Sequence, residues 1–398
     1  MAKKRKKTNK PEPPAAPAPM APVTRTVFTV LFVAIVLLAF FLRFYDLDRK
    51  PLHHDEGVNA WFLLNLKKGF TEEAGVNPPQ DITPDWLSWA LPLVRDLDDL
   101  TDFSWNRGFN GWKYDPSNYH GPYLFLTHII PLAIGESIFA LRFGVALFGS
   151  LMILLLWPLR RKIGLVGVTA AAACLTLSPT HLYFSRTNIH EIYLVFFTLA
   201  AVAAAVRFGE TGKPGYLILL AASAALIITV KETYIFTAAA WGGGLVFTWI
   251  FFQSSRGVNE IKPANYARSL RETIAGRPGY IWLSLGVFIF VIVIFYSSVF
   301  THWKGTTLDL INTLLKWTRT GTEGEGHEKP FKYFFRLLGT FELPILIFGC
   351  VGIVYAFIRR NALMIFTSVW AFLTLLGYSV VPYKTPWLAL NFILPLAL

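Results

Sequence analysis

Nine apolar blocks dominate this sequence, and the first of them, 26–42, contains no charged residue. Blocks of this kind constrain a fold more than any motif does. Crossing a hydrocarbon core about 30 Å thick takes about 20 helical residues, or about 17 at the short end. The others lie at 138–159, 163–183, 192–206, 216–230, 233–252, 280–300, 343–358 and 362–381. Hydrocarbon offers backbone N–H and C=O groups no water, so each block is expected to be a helix. With 54% hydrophobic and only 16% charged residues, the composition excludes an ordinary soluble domain. The expected fold is an all-α polytopic membrane protein with about nine or more transmembrane helices. A last apolar stretch, 387–398, has 12 residues, too few to cross, so the C-terminal end is expected to be incomplete.

Lys and Arg near span ends favour the cytoplasmic side, while acidic residues count for little. Lys3, Lys4, Arg5, Lys6 and Lys7 open the chain, and Arg160–Lys162, Arg207, Lys213, Arg256, Lys262, Arg268, Arg271, Arg277, Arg359 and Arg360 occupy alternate loops. Placed on one side, the basic loops hold 19 Lys/Arg and 4 Asp/Glu, against 18 and 21 on the other. The net charge of +12 is therefore a topology signal. Nucleic-acid binding would need those charges in one folded patch, and they are scattered over loop ends. Residues 1–23, basic and then Pro/Ala-rich, are expected to be a disordered cytoplasmic tail preceding a membrane module over 24–398. Within it, 253–279 is a basic cytoplasmic loop, while 43–136 and 301–342 lie outside. Cys174 and Cys350 both fall in apolar spans, so no disulfide framework is available.

The spans hold almost no mid-membrane charge, which weighs against proton pumps and voltage sensors and puts polar chemistry at the outer surface. Trp61, Trp86, Trp89, Trp105 and Trp112 in the first outer loop suit an interface that is apolar on one side and wet on the other. The run Pro51-Leu52-His53-His54-Asp55-Glu56-Gly57 opens a segment with helical spacing, with Val58, Trp61, Phe62, Leu64 and Leu66 apolar and Lys67-Lys68-Gly69 as its stop. A juxtamembrane helix is expected there, and the plain reading of Asp55 is its N-cap. His327, in the Gly- and Glu-rich run 321–328, is expected in a mobile outer loop.

Asp55-Glu56 just after a first span resembles the signature of GT-C glycosyltransferases, such as protein O-mannosyltransferases and lipid A aminoarabinose transferases. His120-Gly121-Pro122-Tyr123 followed by Ala140-Leu141-Arg142-Phe143 is similar to that superfamily's His-Pro-Pro surface helix leading into a second span that starts with an arginine, with Gly121 where proline is usual. Leu177-Ser178-Pro179, Ser185-Arg186 and Glu191 look like its short outer turn, in which an acidic residue follows the arginine by five positions. Lys231-Glu232 and Tyr383-Lys384-Thr385-Pro386-Trp387 complete the pattern, and all of these fall on the outer side of the charge-derived topology. His-His-Asp-Glu-Gly and Tyr-Lys-Thr-Pro-Trp bring the chain nearest to a prokaryotic branch described as flippase-activity-associated. The likeness covers 24–398.

The resemblance implies a GT-C bundle whose long first loop carries juxtamembrane helices. It also implies a glycosyltransferase moving a hexosyl or pentosyl group from a polyprenyl-phosphate carrier to a lipid, glycan or protein acceptor outside the cytoplasm, in the cell membrane. An outward-facing enzyme cannot draw on cytoplasmic nucleotide sugars, and the absence of Walker and Rossmann glycine patterns agrees. Such transfer needs a base near the acceptor, cations near the departing phosphate and a wall against water. Asp55 is the candidate base, Glu56 the neighbour that tunes it, and Glu191 a second carboxylate. His54, His120, Arg186, Lys231, Tyr383 and Lys384 are the candidate substrate-binding residues, although Arg186 and Lys231 at span ends could simply snorkel. His53, His54, Asp55 and Glu191 offer ligand types for a divalent metal ion, without a spacing that fixes one. The alternatives are a lipid-linked-sugar flippase or a non-catalytic flippase partner. Transporters tend to show paired halves and mid-membrane sites, and no such repeat is read here.

Overall fold

A computed structural model describes residues 21–71, 83–92, 94, 113–117, 120–254, 263–324 and 326–398. Residues 1–20, and with them most of the expected tail, lie outside the described residues, as do Trp105, Trp112 and Arg256. Among the described residues all regular structure is helical, apart from one isolated bridge between Glu328 and Tyr383. In chain order the helices are α1 (Pro22–Phe44), α2 (His54–Thr71), α3 (Tyr123–Ile134), α4 (Ile138–Leu154), α5 (Arg160–Leu177), α6 (Pro179–Phe184), α7 (Glu191–Thr211) and α8 (Gly215–Val230). They continue as α9 (Tyr234–Ser254), α10 (Pro263–Gly276), α11 (Gly279–Tyr296), α12 (Leu310–Glu323), α13 (Tyr333–Phe341), α14 (Leu343–Arg359), α15 (Ala362–Val380) and α16 (Leu390–Leu396).

Each expected apolar block is found helical, yet among the described residues six helices are long and apolar enough to cross a membrane, or seven if the α13–α14 pair, bent by 104°, counts as one. The difference has two causes. The run 138–177 is continuous at 40 residues, which would be about 60 Å long if straight, twice the hydrocarbon thickness. It turns at residues 155–159, between α4 and α5, with a further break inside α5 at Gly164, where φ is +78°, and both helices pack against α1. Two crossings are therefore counted as one. The other cause is α8, only 16 residues long, held between α7 and α11.

Burial separates the helices that face lipid from those that do not. On α7, 72% of the spanning window is inside the protein, whereas the figure is 6% for α11. A helix apolar on every side and buried belongs to a core, and one apolar and exposed needs hydrocarbon around it. α7 thus forms the axis, contacted by α4, α8 and α16, while α9 packs on α15 and α1 on α4 and α5.

The helix α2 lies against α3 through buried Leu63 and Leu66 and a T-shaped Phe62–Phe125 contact. Its inward face runs through Glu56, Asn59, Leu63 and Leu66, and Val58 and Trp61 point outward. This differs from the apolar face expected from spacing, because the buried ion pair of Glu56 fixes the rotation of the helix. α2 also continues beyond the expected stop at Gly69, to Thr71.

Candidate active site

The start of α2 is built by a reciprocal cap. Glu56 accepts a hydrogen bond from the backbone N–H of His53 at 2.9 Å, and the ring Nδ1 of His53 accepts from the N–H of Asp55 at 3.3 Å. A capping box satisfies free N–H groups in this way, so the N-cap is His53 and not Asp55. No described residue hydrogen-bonds the Asp55 carboxylate, which lines a cleft of ≈ 160 Å³ together with Asn59, His120, His190, Glu191, Lys231, His327, Tyr383 and apolar side chains that include Phe62, Phe125 and Trp387.

Glu56 faces the other way. It is wholly buried in a two-pronged pair with Arg142, at 2.8 Å from both Nε and Nη2, and also accepts from the N–H of Asn188 at 2.8 Å. The remaining N–H groups of Arg142 donate to the carbonyls of Leu47, Lys50 and Pro51. Burial alone would raise the Glu56 pKa, but Arg142 and the two backbone N–H groups outweigh it and hold the carboxyl below the usual range. The charge of Glu56 is matched by Arg142 and its oxygens are occupied by these donors. It locks the 47–56 segment onto α4 and the 188–190 turn.

The opposite wall comes from the ends of α7 and α8. Lys231 donates to Glu191, and both are buried. Burial lowers the Lys231 pKa, but Glu191 and Glu232 more than compensate, and the net shift is upward, so the ammonium is retained. Glu232 accepts from His120 Nδ1 at 3.0 and 3.1 Å, and the His120 ring stacks on Trp317 at 4.4 Å and meets His190 edge-on at 5.0 Å. The chain reaches this place by a close approach. Gly121 N–H donates to Val230 O at 3.1 Å, and a Cβ on Gly121 would lie 2.1 Å from Thr229 O. Proline would clash there and could not donate, which accounts for the departure from His-Pro-Pro.

A second cavity of ≈ 200 Å³ adjoins the first, lined by Ile235, Phe236, Leu314, Trp317, Val381 and Leu388 among others. His120, Lys231 and Tyr383 line both cavities and form the seam between them. Tyr383 is held there by backbone contacts of the 381–384 segment: Lys329 N–H donates to Pro382 O, and Lys384 N–H to His327 O. Burial pushes the Tyr383 phenol up, with Lys231 opposing and the carboxylates around it adding, so it keeps its proton.

Five of the expected residues thus share one space: Asp55, Glu191, His120, Lys231 and Tyr383. The other expected substrate-binding residues do not. Arg186 spends its guanidinium on the carbonyls of Leu42, Tyr45 and Asp46, closing the end of α1. Lys384 donates to the carbonyls of Lys329 and Val381. His54 is exposed and lines a separate surface groove with Leu52 and Trp61. Among the described residues no three of His, Cys, Asp and Glu converge to hold a metal ion. His53 is occupied by the cap and by Trp387 at 6.0 Å, so the set His53, His54, Asp55 and Glu191 does not fit one. His190, Asn59 and His327 line the cleft without having been expected there, and His327, taken for a mobile loop residue, sits 5.1 Å from the Tyr383 ring. His190 and Glu232 flank residues already noted, and in a short turn between helices neighbours can share a space.

All the cleft residues stand at one end of the bundle. At the other, Arg160 lies near enough to Arg25 and Arg207 for their charges to interact.

Residues 120–256 match a sequence family described as dolichyl-phosphate-mannose-protein mannosyltransferase. Among solved structures, the chain is similar to ArnT from Cupriavidus metallidurans bound to undecaprenyl phosphate, with a TM-score of 0.57 and 17% identity over 94% of this chain and 59% of ArnT. It is similar also to the archaeal oligosaccharyltransferase AglB from Archaeoglobus fulgidus, in complex with an inhibitory peptide and a dolichol-phosphate, with a TM-score of 0.53 and 14% identity over 95% of this chain and 50% of AglB. No protein of curated function matches the chain in sequence. The fold is the one seen in ArnT and AglB, the all-α polytopic bundle that the sequence led one to expect, and the chain spans about three-fifths of the length of ArnT and half that of AglB.

Proposed function

We propose that this GT-C chain transfers a sugar from a polyprenyl-phosphate carrier to an acceptor hydroxyl or amide at the outer face of the membrane. The observation that carries the proposal is the pair of cavities, one apolar and one polar, meeting at His120, Lys231 and Tyr383. A donor made of a prenyl chain, a phosphate and a sugar has the same order, and its phosphate falls at the seam. The carriers bound in ArnT and AglB, undecaprenyl phosphate and dolichol-phosphate, belong to that chemical class.

In this reading Asp55 accepts the acceptor's proton as the new bond to the anomeric carbon forms, because a carboxylate is too weak to remove it beforehand. The bond from the anomeric carbon to the phosphate oxygen breaks with its electron pair on the phosphate. The Lys231 ammonium, the Tyr383 hydroxyl and the His120 ring stand where that charge develops. Glu191 holds Lys231 in place, and Phe62, Phe125 and Trp387 keep water from the reacting carbon.

The full-length protein in micelles, given a panel of polyprenyl-phosphate hexoses and pentoses with lipid, glycan and peptide acceptors, should release carrier and form glycoside. Asp55→Asn should slow this by about 10² or more. Lipid movement without glycoside formation, or an Asn variant with wild-type transfer, would refute the reading. Sidedness is tested separately. A cysteine at Thr322 should be labelled from outside and one at Lys213 only from the cytoplasmic side; the reverse pattern would place the cleft on the wrong face.

A further inference from the structure

The charges facing the cleft do not suit an anion as they stand. Among the described residues that line the two cavities, Lys231 is the one formal cation against the carboxylates of Asp55, Glu191 and Glu232. Lys231 is already engaged by Glu191, with Glu232 as its sequence neighbour. A lipid phosphate adds a further negative charge, and like charges a few ångström apart in a partly desolvated site repel strongly. Something must offset it.

His120 is the group placed to do so. Its Nδ1 is fixed on both oxygens of a buried carboxylate, Trp317 covers one face of the ring, and Nε2 has no hydrogen-bond partner among the described residues. Because Nδ1 must carry a proton to meet Glu232, a second proton can only go to Nε2, and the imidazolium then offers that N–H at the seam of both cavities. The groups around it are Glu232 and Lys231 at the end of α8, His190 and Glu191 at the start of α7, Asp55 on α2, and His327 and Tyr383 from the two outer segments. His190 is no competitor for the proton. Burial, with the neighbouring His120 and Lys231, pushes it well below the usual imidazole range. Glu232 stays ionised, since His120 and Lys231 outweigh the effect of burial and depress its pKa.

We propose that Glu232 is a positioning residue that holds His120 as the proton-carrying cation at the seam, so that a polyprenyl phosphodiester binds together with one proton. The inference rests on the donor class argued above and adds its recognition device. In transfer, the imidazolium then donates a charge-assisted hydrogen bond to the phosphate oxygen that receives the electron pair.

Binding of undecaprenyl methyl phosphate to the full chain in micelles, followed between about pH 5 and 8 where histidine is the side chain that titrates, decides the matter. As a phosphodiester, this probe does not itself titrate in that range. On the alkaline side, affinity should fall by up to about tenfold per pH unit, the slope of one linked proton. His120→Gln should abolish the slope. Glu232→Gln should move it to lower pH and Glu232→Asp should restore it, whereas a merely structural residue would change affinity equally at every pH. Binding independent of pH in the wild type would overturn the inference alone, as would a slope that survives in His120→Gln and so belongs to another group such as His327. No binding at any pH would overturn the donor reading and this inference with it. Should Glu232→Gln fail to fold, the wild-type and His120→Gln curves still decide.

Discussion

Asp55 and Glu56 are neighbours in sequence and opposites in surroundings. Beneath the start of α2, Glu56 has its charge matched by Arg142 and its oxygens filled by four donors. Above it, Asp55 faces a cleft with no described residue bonding its carboxylate. A helix turns about 100° per residue, so adjacent side chains are sent to different places. One acid holds the frame and the other is left available, and a single dipeptide serves both purposes because the cap is delegated to His53.

Breaking the frame should have the largest effect. Arg142→Met leaves a buried carboxylate without its partner, a loss of about 3–5 kcal/mol, visible as a much lower thermal transition in micelles or as failure to accumulate. Glu56→Gln should act in the same direction and also change the acid response. The folded-state pKa of Glu56 is depressed, so its contribution is complete above the ordinary Glu value of about 4.3 and is lost as pH falls through the lower folded value. The wild-type thermal transition should therefore drop in acid more steeply than that of the variant.

Asp55→Asn sharpens the contrast from the other side. Its unfolding transition should stay within about 0.5 kcal/mol of wild type, the range of substitutions that break no buried partner. A loss of stability comparable to that of Glu56→Gln would mean that Asp55 belongs to the frame after all.

The lysines divide in the same way. Lys231→Ala should weaken donor use by about ten- to a hundredfold, the worth of a charge-assisted contact of about 1.5–3 kcal/mol. Lys384→Ala should lower the thermal transition and leave donor KM alone, because its ammonium is committed to the carbonyls of Lys329 and Val381. Equal donor defects in both would erase the distinction.

Gly121→Ala should act on the seam through the backbone. Its Cβ would meet backbone and not a yielding side chain, at a cost of about 1–3 kcal/mol. Donor KM should rise along with the fall in the thermal transition, since His120 moves with the segment.

Much of this was legible in the sequence, and the limits are physical. The spans were visible because hydrocarbon tolerates so few charges, and the helices of the bundle follow the apolar blocks. The cleft was legible where residues sit at the ends of spans facing the same way, as Glu191 and Lys231 do. What a sequence does not reveal is the direction of a side chain near a helix end. Arg186 and Lys384 carry the charge expected of phosphate binders, yet both fold back onto carbonyls of neighbouring segments. Glu56 and Arg142 were each visible, but their bond across 86 residues was not.

Where Gly121 meets Thr229, main chain lies on main chain with no side-chain layer to compress. Gly121 N–H bonds Val230 O across this contact, so the 120–122 segment is anchored directly to the end of α8 and a side chain at 121 would push the two apart. On the opposite side of the seam, α12 and the 327–329 segment are fastened to 381–384 by single backbone bonds, Tyr383 N–H to Gly321 O, Lys384 N–H to His327 O and Lys329 N–H to Pro382 O.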